Sequence, residues 1–251
     1  TDQGKTWSWT RISYDGQELV PGYFNLVQNF GQNDLAVDGN NKVHCVSQGY
    51  SLRAKPDTSY FTTDMYYWNS TVGFKSLVNF NRDLDIIDSL VIPLRAANAM
   101  GCSYPTMAVS KNGQVVVCVW SQPKFTATSI DTGSTGVMCY DLYYNASFNG
   151  GTTWKGATRL TNTTGKAETF PTLADDLEAI AGGGVRARIL YLDDSRPGQS
   201  LNTTPKATPA GLENWVYQEF DISATDVNER GGDVPQSFTL EQNYPNPFNP
   251  S

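Results

Sequence analysis

The chain has 251 residues, a formal net charge of −7 and only 17% charged residues. It contains no basic cluster suited to a nucleic-acid backbone or an anionic membrane, and no apolar run of about 18 residues that would predict a membrane-spanning helix. Gly, Ser, Thr, Asn and aromatic residues are frequent, as is typical of strands and turns, so the composition predicts an all-β fold.

The chain opens on a turn-like segment at residues 2–7, DQGKTW. Beyond it, three stretches share one order of features: a first strand that ends in a turn, an apolar second strand, and an aromatic third strand. The third strands are centred on Tyr66, Tyr143 and Val216, which are 77 and 73 residues apart. This spacing predicts a repeated unit. Gly-containing turns between short apolar runs predict antiparallel four-stranded meanders, and such meanders repeated around an axis form a β-propeller.

In the second unit, residues 147–154 read SFNGGTTW and lie between the predicted third and fourth strands. They resemble the Asp-box, or bacterial neuraminidase repeat, whose pattern is Ser-x-Asp-x-Gly-x-Thr-Trp, with Asn149 in place of the Asp. Residues 2–7 resemble a second copy, truncated at its start, and residues 70–74 resemble a degenerate one. The resemblance implies structural roles in turns for Asp2, Gly4, Thr6, Trp7, Ser147, Asn149, Gly151, Thr153 and Trp154.

The family resemblance implies a sialidase-like β-propeller over residues 1–222, with about three and a half four-stranded blades in this chain. A closed propeller of this class has about six blades or more. We therefore expect either further blades upstream of Thr1 or a partner molecule that completes the ring, and the sequence leaves both open.

Sialidases of this fold bind their substrate with an arginine triad and use a Tyr nucleophile, a Glu and an Asp acid. The family's Phe-Arg-Ile-Pro signature is absent. Glu168 and Arg188 are candidates for a central cleft, but surface or strand-edge roles explain them better, and the single histidine, His44, cannot supply a multi-histidine metal site. The sequence therefore assigns no catalytic, cofactor-binding or metal-binding residue and favours a protein without enzymatic activity.

The aromatic residues of the repeats have two interpretations. They could form a stacking surface for sugar rings, or they could fill the space between sheets, and the second interpretation is favoured. The residues concerned are Trp68, Trp120, Trp215, Tyr66, Tyr67, Tyr143 and Tyr144.

Four cysteines allow three disulfide pairings. Cys102 and Cys139 fall at the ends of predicted strands on one edge of the second unit, and we favour a bridge between them. Cys45 and Cys118 lie in the middle of predicted strands and are expected to be small buried apolar residues.

Residues 223–233 are polar and Gly-containing, which is typical of a linker. Residues 234–251 then resemble the start of the type A C-terminal sorting domain of bacterial type IX secretion cargo. The resemblance rests on Asn243, Tyr244, Pro245, Asn246, Pro247, Phe248, Asn249 and Pro250. It implies recognition by the type IX secretion machinery, export across the outer membrane, and an extracellular or cell-surface location.

Together these features favour an exported, non-enzymatic β-propeller that acts in adhesion, glycan binding or extracellular assembly. Glycans or copies of the protein itself are its candidate partners, and no cofactor is expected. Two alternatives remain open: a sialidase-like glycoside hydrolase whose catalytic blades lie outside this chain, and a structural subunit of an extracellular filament.

Overall fold

A computed structural model describes residues 6, 15–20, 23–26, 32–53, 61–78, 101–123, 131–132, 138–195 and 213–224. Within these ranges the regular elements are β-strands and one 3-10 turn, Ala181–Gly183, and there is no α-helix. None of the described residues belongs to a helix long and apolar enough to cross a membrane. The predicted sorting motif, the linker beyond residue 224 and the N-terminal Asp-box copy other than Thr6 lie outside the described residues.

The first sheet has six antiparallel strands: β1 (Asp15–Val20), β2 (Tyr23–Leu26), β3 (Asn33–Val37), β4 (Val43–Arg53), β5 (Phe61–Asn69) and β6 (Gly73–Val78). The long strand β4 explains why the sheet exceeds the predicted four strands. β3 pairs with one half of β4, residues 43–47, and β2 pairs along the same edge with the other half, residues 50–53.

The second sheet is a four-stranded antiparallel meander, as the sequence predicts for this unit. It contains β7 (Ser103–Val109), β8 (Val116–Pro123), β9 (Tyr140–Ser147) and β10 (Thr158–Arg159). Every residue of β8 is buried, because both faces of this sheet are covered.

The third sheet contains β11 (Ala167–Leu173), β12 (Glu178–Ala179), β13 (Val185–Asp194) and β14 (Glu213–Ile222). The short strand β12 pairs with the start of β13 on the same edge as β11, and β14 pairs along the whole of β13 on the other edge.

The three sheets pack face to face, with an apolar core on each side of the second sheet. Alternate residues of β8 point to opposite faces: Cys118 and Trp120 belong to a core shared with the first sheet, whereas Val117 and Val119 belong to one shared with the third. The first strands also contact one another in chain order, β3 with β7 and β7 with β11. The predicted all-β class is confirmed, and the described chain is a stack of antiparallel sheets.

The predicted Cys102–Cys139 bridge is absent, and none of the four cysteines forms a disulfide. Cys102 precedes β7 and Cys139 precedes β9, and both strands pair with β8 from opposite sides. Two strand spacings separate them by roughly 9–10 Å, whereas a disulfide requires Cα atoms within about 7 Å. Cys45 and Cys118 are buried, as predicted.

Candidate functional site

The first strands of the second and third sheets share an unfavourable backbone conformation. Tyr104 in β7 has a φ of 53° and Phe170 in β11 has a φ of 51°. This left-handed region is an outlier for a bulky residue. Each residue lies at a point where the pairing register between its strand and the neighbouring strand shifts. Such a shift is a β-bulge, which redirects a side chain out of the regular alternation.

The two bulges bring the aromatic rings together. The ring centroids of Tyr104 and Phe170 are 4.3 Å apart, with the rings tilted by 43°. Gln32 Oε1 accepts a hydrogen bond from the backbone N–H of Tyr104 at 2.8 Å and helps to hold the bulge. Phe170 is 48% exposed, and burial raises the pKa of Tyr104, whose hydroxyl is therefore neutral near pH 7. We call these two residues the aromatic pair.

Side-chain hydrogen bonds fix the strands that carry the aromatic pair. Asp34 Oδ2 in β3 accepts the backbone N–H of Met107 at 2.9 Å and the hydroxyl of Thr106 at 3.2 Å. Thr106 Oγ1 in turn accepts the backbone N–H of Leu173 in β11 at 3.2 Å. These hydrogen bonds join β3 to β7 and β7 to β11. They therefore fix the positions of the two strands, β7 and β11, that carry the aromatic pair.

A buried carboxyl pair lies at the start of β9 and β11. Asp141 is 0% exposed and Glu168 is 2% exposed, so the predicted surface role of Glu168 is wrong, although β11 does lie at an edge of its sheet. Glu168 Oε2 accepts the hydroxyl of Thr161 at 2.7 Å, and Arg159 Nη1 lies 3.8 Å from Asp141 Oδ2. Burial, with a contribution from Asp141, raises the pKa of Glu168 to about 7 despite hydrogen bonds that lower it.

A second buried polar group includes the only histidine. His44 Nδ1 lies 2.6 Å from the Tyr67 hydroxyl, and His44 Nε2 lies 3.5 Å from Asp38 Oδ2. Burial lowers the pKa of His44 and keeps the ring neutral. Burial also acts to raise the pKa of Asp38, but backbone N–H groups, including that of Lys42, hold it below its usual value. All three side chains are buried.

This second group joins two sheets. Asn69 Nδ2 donates to the Tyr67 hydroxyl at 2.6 Å and, at 3.0 Å, to the carbonyl of Gly150 in the turn between β9 and β10 of the second sheet. The backbone N–H of Gly39 also donates to the carbonyl of Lys111 at 2.8 Å. The His44 group has the composition of a proton relay, but its burial and its bonds between sheets make it a structural network.

The turn at residues 147–154 is held by its own side chains. Asn149 Oδ1 accepts the backbone N–H of Thr153 at 2.9 Å, and Ser147 Oγ accepts that of Gly151 at 2.9 Å. Gly151 has a φ of 87°. The Trp154 ring lies edge-on to the Tyr67 ring with centroids 4.9 Å apart. The turn thus packs on the first sheet.

The outer face of the third sheet is apolar at one end and charged at the other. Trp215 and Tyr217 are 62% and 61% exposed, and Leu190 opposite Tyr217 is 42% exposed. The core role predicted for the aromatics is therefore wrong for Trp215, although Tyr66, Tyr67 and Trp120 are buried.

The charged end contains Arg188, whose Nε lies 3.1 Å from Glu219 Oε1 and which also pairs with Glu178. Its surface role is confirmed. Arg186 Nε lies 2.7 Å from Asp221 Oδ1, so both guanidinium groups are already paired with carboxylates. The described residues contain no group of three His, Cys, Asp or Glu side chains placed to hold a metal ion.

No protein-family model matches the chain, and no curated protein matches it as a relative.

Sequence reasoning missed the aromatic pair, although a signal was present. Both residues precede a proline and a threonine, in Tyr104-Pro105-Thr106 and in Phe170-Pro171-Thr172. An aromatic residue before proline at the same place in two units marks a special backbone position, because proline restricts the residue that it follows. The left-handed conformation itself has no sequence signature outside Gly and Asn.

Proposed function

We propose that this protein is an exported, sialidase-like β-propeller that acts at the cell surface by binding glycans through the aromatic pair, as in adhesion. The resemblance of residues 243–250 to a type IX sorting motif supports export. The Asp-box-like turn at residues 147–154 and the contacts from β3 to β7 to β11 support the propeller, because neighbouring first strands meet around the axis of that fold.

The observation that carries the glycan-binding proposal is the strain at Tyr104 and Phe170. A left-handed conformation costs about 1–3 kcal/mol for each non-Gly residue, and such strain is concentrated at functional sites. Here it turns two aromatic rings toward each other, with Phe170 half-exposed. An aromatic surface suits the C–H face of a sugar ring, and the neutral Tyr104 hydroxyl can hydrogen-bond to sugar hydroxyls.

The proposal is tested by a glycan array, followed by titration of the best soluble oligosaccharide into the purified chain. We expect Phe170→Ala to weaken binding by about tenfold or more, because a stacked aromatic contributes on the order of 1–3 kcal/mol. Trp215→Ala is the matched control, since Trp215 is an exposed aromatic on another face. Absence of any glycan ligand, or equal loss in the two variants, would refute the proposal.

A further inference from the structure

The β-bulge that carries Phe170 separates a short first part of β11 from the rest of the strand. Thr169 and Thr172 form regular pairs with β13. Between them, Phe170 and Pro171 lie together opposite one residue of β13, Tyr191. Two residues against one is the count of a β-bulge, and Phe170 has its left-handed φ of 51° inside it. Residues 167–169 therefore form the only part of β11 on the far side of the bulge.

A slip of residues 167–169 by one residue along β13 would remove this bulge. Successive side chains of a strand point to opposite faces, so the slip would also turn each side chain of the segment to the other face. Glu168 would leave the buried face of the sheet. Phe170 would adopt the extended backbone of a regular strand, which is the conformation that the following Pro171 favours.

The buried side chain of Glu168 holds the segment in its present register. Glu168 Oε2 accepts the hydroxyl of Thr161 at 2.7 Å, and a further hydrogen bond joins its carboxyl group to that of Asp141. Two carboxyl groups share a hydrogen bond only while one of them carries a proton. Burial raises the pKa of Glu168 to about 7, so the protonated and ionised forms exchange near neutral pH.

The groups that face Glu168 make its ionised form unfavourable in the buried position. Arg159 Nη1 of β10 lies 3.8 Å from Asp141 Oδ2 of β9, and Lys166 Nζ lies 2.6 Å from Asp193 Oδ2 of β13. Both of these cations therefore already face another carboxylate. The other titratable groups around the site are Asp131, Cys139 and Tyr191. An ionised Glu168 adds a further negative charge to this buried cluster.

We propose that Glu168 is a pH-sensitive switch that controls the aromatic pair. While Glu168 is protonated, it stays against Asp141, and β11 keeps the bulge that brings Phe170 to Tyr104. When Glu168 ionises, residues 167–169 slip by one residue, the carboxylate turns to solvent and Phe170 leaves Tyr104. A ligand of the aromatic pair binds only the bulged register and is released as the pH rises. This last step rests on the proposed glycan binding.

NMR of the chain with labelled Phe and Tyr rings tests the switch without a ligand. We expect nuclear Overhauser contacts between the rings of Tyr104 and Phe170 at pH 5.5 and their loss at pH 8.5. Glu168→Gln cannot ionise and should keep the contacts at both pH values. Glu213→Gln, at an exposed position of β14, is the matched control and should lose them as the wild type does.

Titration of the best soluble oligosaccharide at pH 6 and at pH 8 tests the link to binding. If only the protonated form binds, the dissociation constant should rise roughly tenfold between these two pH values. Glu168→Gln should bind as tightly as the wild type at pH 6 and show no rise at pH 8. Unchanged melting of this variant at pH 6 shows that it folds.

The two measurements separate the switch from the proposed function. Absence of a glycan ligand at every pH would refute the function, and the ring contacts would still decide the switch. Contacts that persist in the wild type at pH 8.5, or that are lost equally in Glu168→Gln, would overturn the switch. A glycan that binds the wild type equally at pH 6 and pH 8 would also overturn it.

Discussion

At the scale of single residues, the aromatic pair is maintained by its surroundings against its own backbone preference. The left-handed conformation costs about 1–3 kcal/mol at each residue. The bond from Tyr104 N–H to Gln32 Oε1 and the contact between the two rings offset part of that cost. Pro105 and Pro171 follow directly and favour extended backbone at the residue before them, so they do not offset this cost. The aromatic pair is therefore held in place by its contacts in the folded chain.

Glu168 makes the stability of the protein depend on pH. Its pKa is raised by burial to about 7, whereas an unfolded Glu has a pKa of about 4.3. The folded state therefore holds the proton more tightly. The resulting stability is fully present below about pH 4.3 and is lost as the pH rises through about 7, over a total of roughly 1–3 kcal/mol. Glu168→Gln keeps the shape but cannot ionise.

The free energy of unfolding in urea, measured from pH 4.5 to 8, checks this expectation. The difference between Glu168→Gln and the wild type should increase in favour of the variant as the pH rises. Glu213→Gln, at an exposed position of β14, is the control and should show no such trend. Parallel pH profiles for Glu168→Gln and the wild type would mean that the carboxyl group is not held in its neutral form.

At the scale of elements, the hairpin between β9 and β10 joins the second sheet to the first by packing on Tyr67. Its glycine at position 151 has a φ of 87°, and a Cβ added there would lie 2.2 Å from Cε1 of the buried Tyr67. Gly73 begins β6, directly after the corresponding turn of the first sheet, and has a φ of 67° but no atom within 4 Å of an added Cβ. The two glycines thus share the backbone requirement and differ in packing.

Alanine substitution at these two glycines separates backbone strain from packing. Gly73→Ala should destabilise the fold by about 1 kcal/mol, the cost of placing an L-residue in the left-handed region. Gly151→Ala should cost about 3 kcal/mol or more, because Tyr67 must also move within a close-packed core. Urea unfolding of both variants provides the comparison, and equal losses would show that the turn does not pack tightly on Tyr67.

At the scale of the whole molecule, sequence periodicity identified the three repeated sheets because hairpin turns and apolar strands recur at a regular interval. It placed Tyr66, Tyr143 and Val216 at equivalent positions, and the registers agree. It could not tell which sheet faces are covered, since an apolar strand residue has the same pattern in a core or on an outer face. Trp215 was misplaced for that reason. Glu168 was misplaced because its burial depends on partners distant in the sequence pattern, Asp141 in β9 and Thr161 in the segment after β10.

The position of a sheet in the stack should therefore decide how much an equivalent substitution lowers the free energy of unfolding. Val119 and Leu190 occupy the same place in the second and third sheets but are 0% and 42% exposed. Val119→Ala removes fewer carbon atoms, yet it should lower the free energy of unfolding by about 2 kcal/mol, because it leaves a cavity between two sheets. Leu190→Ala should cost less than about 1 kcal/mol, and urea unfolding of both variants provides the comparison. A loss at Leu190 as large as the loss at Val119 would mean that another part of the chain covers this face.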